Sequence, residues 1–473
     1  MAGEVLGRII CYKEVFILDL SNQKVLVVGL GISGVAAAKL AKRFGAEVVV
    51  SDSKEEEKLG DEVRELRDAG ISVVCGPQSN DLLDGVDHII VSPAVPVRIP
   101  LLQEAYQRDM DVESEIEFAY HIAKSPILAV TGTNGKTTTT TLLGKLMETT
   151  FPVVGVGGNI GVPLSEECLR VGEGGCVVAE ISSYQMEATD DFRPHVASVL
   201  NVTPDHVVRH GNLEVYQQMK EKMFAQQTKE DFLVLNYDDP KTRGMAERAP
   251  GTVCFFSRTE DLKEGAVVEN GVLTMRWRGK NIPVLPVKEL QIRGGHNVEN
   301  ALAAMAMAYL AGAKPEKIAE VLRAFEGVEH RIEPVLNFEG VDYYNDSKAT
   351  NTDSAIKALE SFEEPIVLLA GGDDKMTDLT DFMNLVKERC RALVLVGNAA
   401  ARFKEAALAA GIAPQAIFEA GYSMEKAVEL ARAAAQSGDV VLLSPACASF
   451  DMYSGMAERG RNFKDIVRRM AGK

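Results

Sequence analysis

Short apolar runs alternate along the chain with longer segments of helical periodicity. A first series comprises KVLVVG from Lys24, a helix from about Ser33 to Phe44, AEVVVS, ISVV and DHIIVS. A second series comprises PILAVTG (126–132), VVGVG (153–157), CVVAE (176–180), VASVLN (196–201) and FLVLN (232–236). A third series comprises VDYYND, IVLLAGG (366–372), ALVLVG (392–397) and DVVLLSP (439–445). Such alternation predicts parallel strands joined by right-handed crossover helices.

The three series predict three consecutive α/β domains, spanning 1–114, 115–328 and 329–473. A chain of 473 residues fits this division, since domains commonly hold roughly 100–200 residues. Between 266 and 287 the pattern changes, and the pairs Asn270-Gly271 and Gly279-Lys280 predict turns in a small antiparallel excursion. Residues 1–20 form an extension to which the sequence gives no role.

The composition is that of an ordinary globular protein, with 46% hydrophobic and 25% charged residues. The 51 basic residues against 68 acidic ones give a formal charge of −17, which repels polyanions and argues against nucleic acid as a partner. Any phosphate ligand must therefore bind at small sites made of backbone NH groups, helix N-termini, a few cations or a metal ion.

The seven cysteines are scattered and include no CxxC pair, so we expect free thiols and no zinc ribbon. The apolar stretches fall short of the roughly 18 residues that span a bilayer, which predicts no membrane segment. Together these features predict a protein of the reducing cytoplasm.

The segment GLGISG follows the first strand and opens a helix. Gly29, Gly31 and Gly34 would let backbone NH groups approach a pyrophosphate, and Asp52 at the end of the next strand is placed to bind a ribose hydroxyl. This pattern alone suggests a dinucleotide site, but a tight turn that needs glycine only for packing explains it equally well.

The segment AVTGTNGKTTTT (129–140) is a stronger indication, again at a strand-to-helix turn. Gly132 and Gly135 permit an anion-binding loop, Lys136 would reach the β- and γ-phosphates, and the Thr137 hydroxyl is a candidate Mg²⁺ ligand. The loop departs from GxxxxGK[ST] because Val130 replaces the first glycine. It predicts ATP binding, and two phosphate-type loops together imply a second anionic ligand.

The shortened loop GTNGKTT resembles that of the Mur ligases, the ATP-dependent amide ligases of peptidoglycan synthesis. The resemblance extends through GGNIG (157–161), EISSYQME (180–187), NVTPDH (201–206), GGHNVEN (294–300), EHR (329–331), NDSKATN (345–351), GGDDK (371–375) and LSPACASFD (443–451). It implies a Rossmann-like N-terminal domain, a central P-loop ATPase-like domain and a Rossmann-like C-terminal domain. NDSKATN and SPACAS are similar to the branch of the family that adds D-glutamate to UDP-N-acetylmuramoyl-L-alanine.

The resemblance also implies roles for individual residues. The N-terminal domain would bind the UDP sugar instead of NAD, and the implied contacts are Ile32, Ser33, Asp52, Ser53, Ser92, Ala94, Asn159 and His206. The implied contacts to D-glutamate are Lys348, Thr350, Ser449 and Phe450. The implied ATP contacts are Gly132, Thr133, Asn134, Gly135, Lys136, Thr137, Thr138, Asn297, Asn300, Arg331, Asp346, Asp373 and Lys375.

The implied reaction passes through an acyl phosphate with ADP as co-product, and the implied catalytic residues are Lys136, Glu180, His206, Lys220 and Arg331. Two Mg²⁺ sites are implied, one served by Thr137 and one by Glu180, His206 and Lys220, the last as a carbamate formed with CO₂. Without the resemblance, Lys220 would be interpreted as a solvated helix charge. Glu180 ends a buried strand, where a carboxylate is costly unless it is paired or bound to a metal, and a structural ion pair is the alternative to a metal ligand. The expected partners are the two substrates, with no nucleic acid or membrane, and the expected state is a monomer.

Three alternatives stay open from the residues alone. An NAD-dependent oxidoreductase would use GLGISG and Asp52 but leaves the Lys136 loop unexplained. A folylpolyglutamate-type or other Mur ligase would share GTNGKT but not NDSKATN. A nucleotide-binding scaffold would make the later motifs incidental.

Overall fold

The computed structural model describes residues 19–204 and 207–472 and contains three sheets, one for each predicted series. The mostly parallel strands and the helices between them confirm the predicted α/β class. Each sheet is described in turn below, because the strand order decides which loops meet at its edge.

The first sheet has the order β3-β2-β1-β4-β5, and all its strand pairs are parallel. Its elements are β1 (Lys24–Val28), α1 (Ile32–Arg43), β2 (Glu47–Asp52), α2 (Glu62–Asp68), β3 (Ser72–Cys75), β4 (His88–Val91), α3 (Pro100–Gln107), β5 (Val112–Ser114) and α4 (Glu115–Ile122). The direction of winding reverses between β1 and β4. In open α/β sheets, ligands bind at this reversal, beyond the carboxyl ends of the strands.

The second sheet has nine strands in the order β14-β13-β12-β11-β10-β9-β6-β8-β7. Its elements are β6 (Ile127–Thr131), α5 (Lys136–Met147), β7 (Val154–Gly158), α6 (Leu164–Val171), β8 (Cys176–Glu180), β9 (Val196–Val199), α7 (Val207–His210), α8 (Leu213–Ala225), β10 (Phe232–Asn236), α9 (Pro240–Met245), β11 (Thr252–Ser257), β12 (Gly265–Glu269), β13 (Val272–Trp277), β14 (Lys280–Pro286), α10 (Gly295–Leu310) and α11 (Pro315–Ala324). β12, β13 and β14 are antiparallel, as predicted. The first turn lies at the predicted pair, Asn270-Gly271, where both residues have positive φ. The second turn lies at Arg278-Gly279, one residue before the predicted pair, because it is Arg278 and Gly279 that have positive φ there.

The third sheet has the order β15-β16-β20-β17-β18-β19 and is parallel except for β15. Its elements are β15 (Glu333–Phe338), β16 (Val341–Asn345), α12 (Thr352–Leu359), β17 (Ile366–Gly371), α13 (Thr380–Arg389), β18 (Cys390–Val396), α14 (Ala400–Ala409), β19 (Ile417–Gly421), α15 (Met424–Ala434), β20 (Val440–Leu443) and α16 (Met456–Met470). Short 3₁₀ turns occur in the chain at Glu56–Lys58, Asn80–Leu83, Ala246–Arg248, Val287–Glu289 and Pro414–Ala416.

The chain forms two compact units. The first comprises the residues up to Glu289 together with Glu299–Arg323, and the second comprises Leu290–Val298 and the residues from Ala324 onward. The first unit holds the first two sheets, and one apolar core runs through both, from Leu20 to Met245. The second unit holds the third sheet, with apolar cores on its two faces.

Two predicted absences can be compared with the structure. The six cysteines within the described ranges are all free thiols. No helix in those ranges is long and apolar enough to cross a membrane.

Candidate functional site

The loop between β6 and α5 has the backbone geometry of an anion-binding turn. Gly132 has φ +156° and Gly135 has φ +83°, and Gly135 forms the N-cap of α5. A Cβ at residue 135 would lie 2.3 Å from Asn300 Oδ1, so glycine is required there for space as well as for conformation. The loop therefore brings backbone NH groups to the N-terminus of a twelve-residue helix, as phosphate binding requires.

The predicted ATP residues from 132 to 138 lie together in this loop and the first helical turn. The Lys136 ammonium donates to the carbonyl oxygens of Gly132 and Thr133, at 2.9 Å each. Thr137 and Thr138 are buried, and no described group hydrogen-bonds to Thr138 Oγ1. The lysine head group thus lies over the loop in which phosphates are predicted to bind.

Asn201, which sequence reasoning did not assign to the site, fixes the shape of this loop. Its side-chain oxygen accepts from the Asn134 NH at 2.8 Å, and its amide donates to the Asn134 carbonyl at 3.1 Å. Thr203 NH donates to Thr133 Oγ1 at 3.0 Å. These contacts follow from the sheet order, because β9 lies directly beside β6. The NVTPDH motif was the signal available in the sequence.

Glu180 ends β8, which lies on the other side of β6. Its side chain is 2% exposed; Oε1 accepts from Asn159 Nδ2 at 2.8 Å, and Oε2 has no hydrogen-bond partner in the described chain. Asn159 NH also donates to the Glu180 carbonyl at 2.8 Å. Two predicted site residues are therefore in contact, next to the phosphate loop.

A buried carboxylate oxygen without a partner is costly unless a cation binds it. Magnesium prefers carboxylate and hydroxyl oxygen ligands, so Glu180 fits such an ion and Thr137 offers a hydroxyl on the neighbouring helix.

Lys220 is buried on α8, with an exposed fraction of 1%. The interpretation as a solvated helix charge is therefore wrong. Its ammonium lies 4.3 Å from the centroid of the Tyr216 ring, and the Tyr216 hydroxyl is 3.3 Å from Thr133 Oγ1. Packing of α8 against the phosphate loop thus places Lys220 at the site. His206 lies outside the described residues.

In the first domain, the GLGISG loop leaves β1 and the SPAV loop leaves β4, on the two sides of the winding reversal. A Cβ at Gly34 would lie 2.0 Å from the Gly29 carbonyl oxygen, and one at Gly29 would lie 2.7 Å from Val95. The glycines are therefore needed for packing, whether or not a ligand binds. Ser92 is buried between the loops, and Ile32 is 77% exposed.

The Asp52 carboxylate supports the GLGISG loop. It accepts from the Leu30 NH at 2.9 Å and from the Lys54 NH at 3.0 Å, one with each oxygen. A carboxylate oxygen can accept more than one hydrogen bond, so a hydroxyl can still bind here. Of the remaining predicted contacts in this domain, Ser53 and Ala94 are exposed and Ser33 is half-buried.

In the third sheet, β20 lies between β16 and β17, and this order brings together three predicted loops. NDSKATN follows β16, SPACAS follows β20 and GGDDK follows β17. Asp373 and Ala448 exchange backbone hydrogen bonds of 3.0 and 3.1 Å. Ser449 is buried, whereas Phe450 is 72% exposed and Lys375 is exposed. Lys348 and Thr350, in the loop after β16, are half-buried.

Arg459, a residue that sequence reasoning missed, connects two of these loops. It is 2% exposed and donates to Ser347 Oγ (2.9 Å), Ser347 O (2.8 Å), Cys447 O (3.1 Å) and Ala448 O (2.9 Å). Burial lowers the pKa of its guanidinium to about 10, which leaves it charged at neutral pH. Helix α16 thus joins the two segments predicted to bind D-glutamate.

The EHR segment holds Arg331 in a constrained turn. His330 and Ile332, on either side of it, have φ of +66° and +43°. The Ile332 NH donates to Asp346 Oδ1 at 3.2 Å, and Ser444 donates to Oδ2 at 2.8 Å. Burial raises the pKa of Asp346 to about 7, although the Ser444 hydroxyl and the charge of Arg331 oppose this shift.

Asn297 and Asn300, predicted to share a helix face, both lie in the first turns of α10 and are buried. Asn297 belongs to the second compact unit and donates to the Arg293 carbonyl at 2.7 Å. Asn300 belongs to the first unit and accepts from Thr139 Oγ1 at 3.3 Å.

Comparison with known proteins agrees with this arrangement. Three family models match: the Mur ligase MurD-like N-terminal domain (23–114), the Mur ligase middle domain (130–308) and the Mur ligase glutamate ligase domain (330–447). The UDP-N-acetylmuramoylalanine--D-glutamate ligase of Pelotomaculum thermopropionicum is 45% identical over 95% of this chain and 98% of its own. The enzyme of the same name from Desulfitobacterium hafniense is 45% identical over 96% of this chain and 99% of its own.

Solved structures share the fold. The UDP-N-acetylmuramate-alanine ligase MurC from Thermotoga maritima has a TM-score of 0.57 at 22% identity, covering 96% of this chain and 100% of its own. MurF from Acinetobacter baumannii has a TM-score of 0.59 at 16% identity, covering 93% of each chain. Three matched domains in the expected order and relatives aligned over nearly the full length establish that this chain belongs to the Mur ligase family.

Proposed function

We propose that this chain is an ADP-forming ligase that joins D-glutamate to UDP-N-acetylmuramoyl-L-alanine in peptidoglycan biosynthesis. The observation that carries this proposal is the 40–45% identity, over about 95% of the chain, to relatives named for that reaction. The contacts among NDSKATN, SPACAS and GGDDK support it, because they place a lysine, hydroxyls and backbone NH groups in neighbouring loops. Those groups are what a dianionic amino acid requires.

Joining a carboxylate to an amine requires a carboxylate oxygen to become a leaving group. The γ-phosphoryl group of ATP passes to the carboxylate of the acceptor, and ADP leaves. The amine of D-glutamate then attacks the acyl carbon, phosphate leaves with the bonding electron pair, and the nitrogen loses a proton. With no covalent role for the protein, positioning and electrostatic stabilisation account for the rate.

Within this scheme, the chain contributes groups of defined chemistry. Lys136 and Arg331 would stabilise charge on the transferred phosphoryl group, one as a compact ammonium and the other as a planar, forked donor. The buried loop 132–138 would hold the phosphates through its NH groups. Asp346, Asp373 and Lys375, with Asn297 and Asn300, would complete the ATP site.

Mur ligases use ATP and magnesium. We propose two sites, one served by Thr137 and one by Glu180, His206 and Lys220 carrying a carbamate. Bound magnesium would neutralise charge that gathers between the two anionic substrates. The partnerless Glu180 oxygen and the position of Lys220, buried beside Tyr216, support this assignment. A buried carboxylate oxygen is costly unless a cation binds it, and a carbamate would supply a further anionic ligand.

For the acceptor, we propose contacts from Ile32, Ser33, Asp52, Ser53, Ser92, Ala94, Asn159 and His206. For D-glutamate, we propose contacts from Lys348, Thr350, Ser449 and Phe450. We also propose domain boundaries near residues 114 and 329, and the limits of the matched family models, 23–114, 130–308 and 330–447, support this proposal. We expect a monomer in the cytoplasm, since all these groups belong to one chain and two of the three substrates, ATP and the UDP sugar, are nucleotides.

The decisive test is ADP release from ATP in the presence of UDP-N-acetylmuramoyl-L-alanine, with D-glutamate compared with L-glutamate. We expect turnover with the D-isomer alone. Turnover with another acceptor or amino acid, but not with this pair, would overturn the proposal.

A further inference from the structure

The loop Ser92 to Val95, here called the SPAV loop, contacts the middle domain through one side chain. Arg209, at the end of α7, donates from Nη2 to the carbonyl oxygens of Val95 (3.0 Å) and Pro93 (3.3 Å), and from Nη1 to that of Ala94 (3.4 Å). Three successive carbonyl groups of the N-terminal domain thus face a single guanidinium. A planar, forked donor is suited to this task, whereas a lysine ammonium is not.

The other edge of the same guanidinium binds Glu187 in the middle domain. Arg209 Nε donates to Glu187 Oε1 at 2.8 Å, and Nη2 donates to Oε2 at 2.7 Å. The guanidinium also lies over the Tyr184 ring, 4.6 Å from its centroid. The side chains of Arg209 and Glu187 are 16% and 9% exposed, so solvent screens this bidentate pair only weakly.

The position of this contact gives it a bearing on catalysis. Tyr184 and Glu187 belong to the segment that continues from Glu180 at the end of β8, and the SPAV loop is a proposed binding segment for the UDP sugar. Arg209 therefore contacts one segment of each domain that is proposed to take part in the reaction: the SPAV loop of the N-terminal domain and the segment after Glu180 in the middle domain. Among the residues predicted to bind the sugar nucleotide, Arg209 contacts Ala94, through the backbone carbonyl of that residue.

We propose that Arg209 is a positioning residue that fixes the SPAV loop relative to the Glu180 strand and thereby aligns the sugar nucleotide with the catalytic centre. This inference rests on the proposed function. Misplacement of bound substrate by about an ångström is enough to lower the rate strongly, so loss of the contact should act on acceptor kinetics.

The test compares Arg209→Ala and Arg209→Lys with Arg276→Ala. Arg276, on β13, is a matched control because its side chain is also 16% exposed. It binds Asp261, Glu269 and the Leu262 carbonyl, none of which is a proposed site residue. We expect kcat/KM for the UDP sugar to fall by about tenfold or more in Arg209→Ala, with the KM for ATP changed by less than about twofold. Arg276→Ala should leave both constants unchanged.

Arg209→Lys separates the carbonyl contacts from the ion pair, since an ammonium can keep the charge pair with Glu187 but not the three carbonyl bonds. We expect it to be nearly as defective as Arg209→Ala toward the acceptor, and it serves as the test if the alanine variant does not fold. Ethylguanidinium should partly restore the acceptor kinetics of Arg209→Ala. Acceptor kinetics equal to wild type in both variants, or equal losses for ATP and acceptor, would overturn the inference. Absence of turnover in the wild-type chain would instead count against the proposed function.

Discussion

Replacing Arg459 by methionine removes the side chain that joins the two loops proposed to bind D-glutamate. Methionine keeps much of the apolar volume but donates no hydrogen bonds. Arg459 is 2% exposed, and its loss leaves the buried carbonyl oxygens of Ser347 and Cys447 without a donor. The other two acceptors keep a partner, since the Asp373 NH still donates to the Ala448 carbonyl and the Ser347 hydroxyl still donates to the Met456 carbonyl. A buried acceptor left unsatisfied costs about 2 kcal/mol, so the loss of the donor to two acceptors should lower the local free energy of unfolding by about 4 kcal/mol.

Hydrogen–deuterium exchange of the intact chain measures this local effect directly. Backbone amides in 345–351 and 444–450 should exchange about a thousandfold faster in Arg459→Met, because about 4 kcal/mol corresponds to that change in the opening equilibrium. The KM for D-glutamate should rise by about tenfold or more, since the two loops would no longer be held together.

Arg468→Met is the matched control, because Arg468 is exposed on the same helix. It should leave both exchange and KM at wild-type values. Exchange in Arg459→Met within about tenfold of wild type would refute the reasoning, since it would mean that the Ser347 and Cys447 carbonyl oxygens find other donors at little cost.

Three further predictions concern the phosphate loop, the buried lysine and the buried aspartate. Lys220→Ala should abolish activity, with partial rescue by small carboxylates that replace the carbamate; full activity would rule out that role. Gly135→Ala should raise the KM for ATP by about tenfold or more, because φ is +83° and the new Cβ would lie 2.3 Å from Asn300 Oδ1. Gly271→Ala is the control, because Gly271 also has a positive φ, +76°, but a Cβ there would meet no neighbouring atom and the residue lies outside the phosphate loop. This variant should leave the KM for ATP unchanged. Asp346 has a pKa raised from 3.8 to about 7, so its folded state binds more protons than the unfolded chain between those values. Its contribution to the free energy of unfolding is therefore full below pH 4 and is lost as pH rises through 7, by up to about 4 kcal/mol. Calorimetry should show that the free energy of unfolding of Asp346→Asn depends less steeply on pH between 4 and 7 than that of the wild type. The same slope in both proteins would show that Asp346 is ionised throughout this range.

Much of the fold could be predicted from the sequence because the strands of parallel sheets are continuous apolar runs. Edge strands were harder to predict: β15 and β19 were not predicted, and their residues are mostly half-buried or exposed. β11 was also missed, although it pairs with β10 and β12 inside the sheet. Turn chemistry predicted the β12–β14 excursion, since Asn270 and Gly271 adopt the positive φ that such pairs favour.

For the site, the sequence by itself determined the chemistry of the phosphate loop, because Gly132, Gly135 and Lys136 act within a few residues of one another. It also placed Glu180 at the end of a buried strand. Only the tertiary structure decided that Lys220 is buried against Tyr216, since a helical lysine shows no local sign of what its helix packs on. Likewise, the role of Arg459 depends on β16 and β20, which are adjacent in the sheet but distant in the chain. The role of Arg209 depends on the contact between segments that follow strands of two different sheets. Local sequence carries no record of either arrangement.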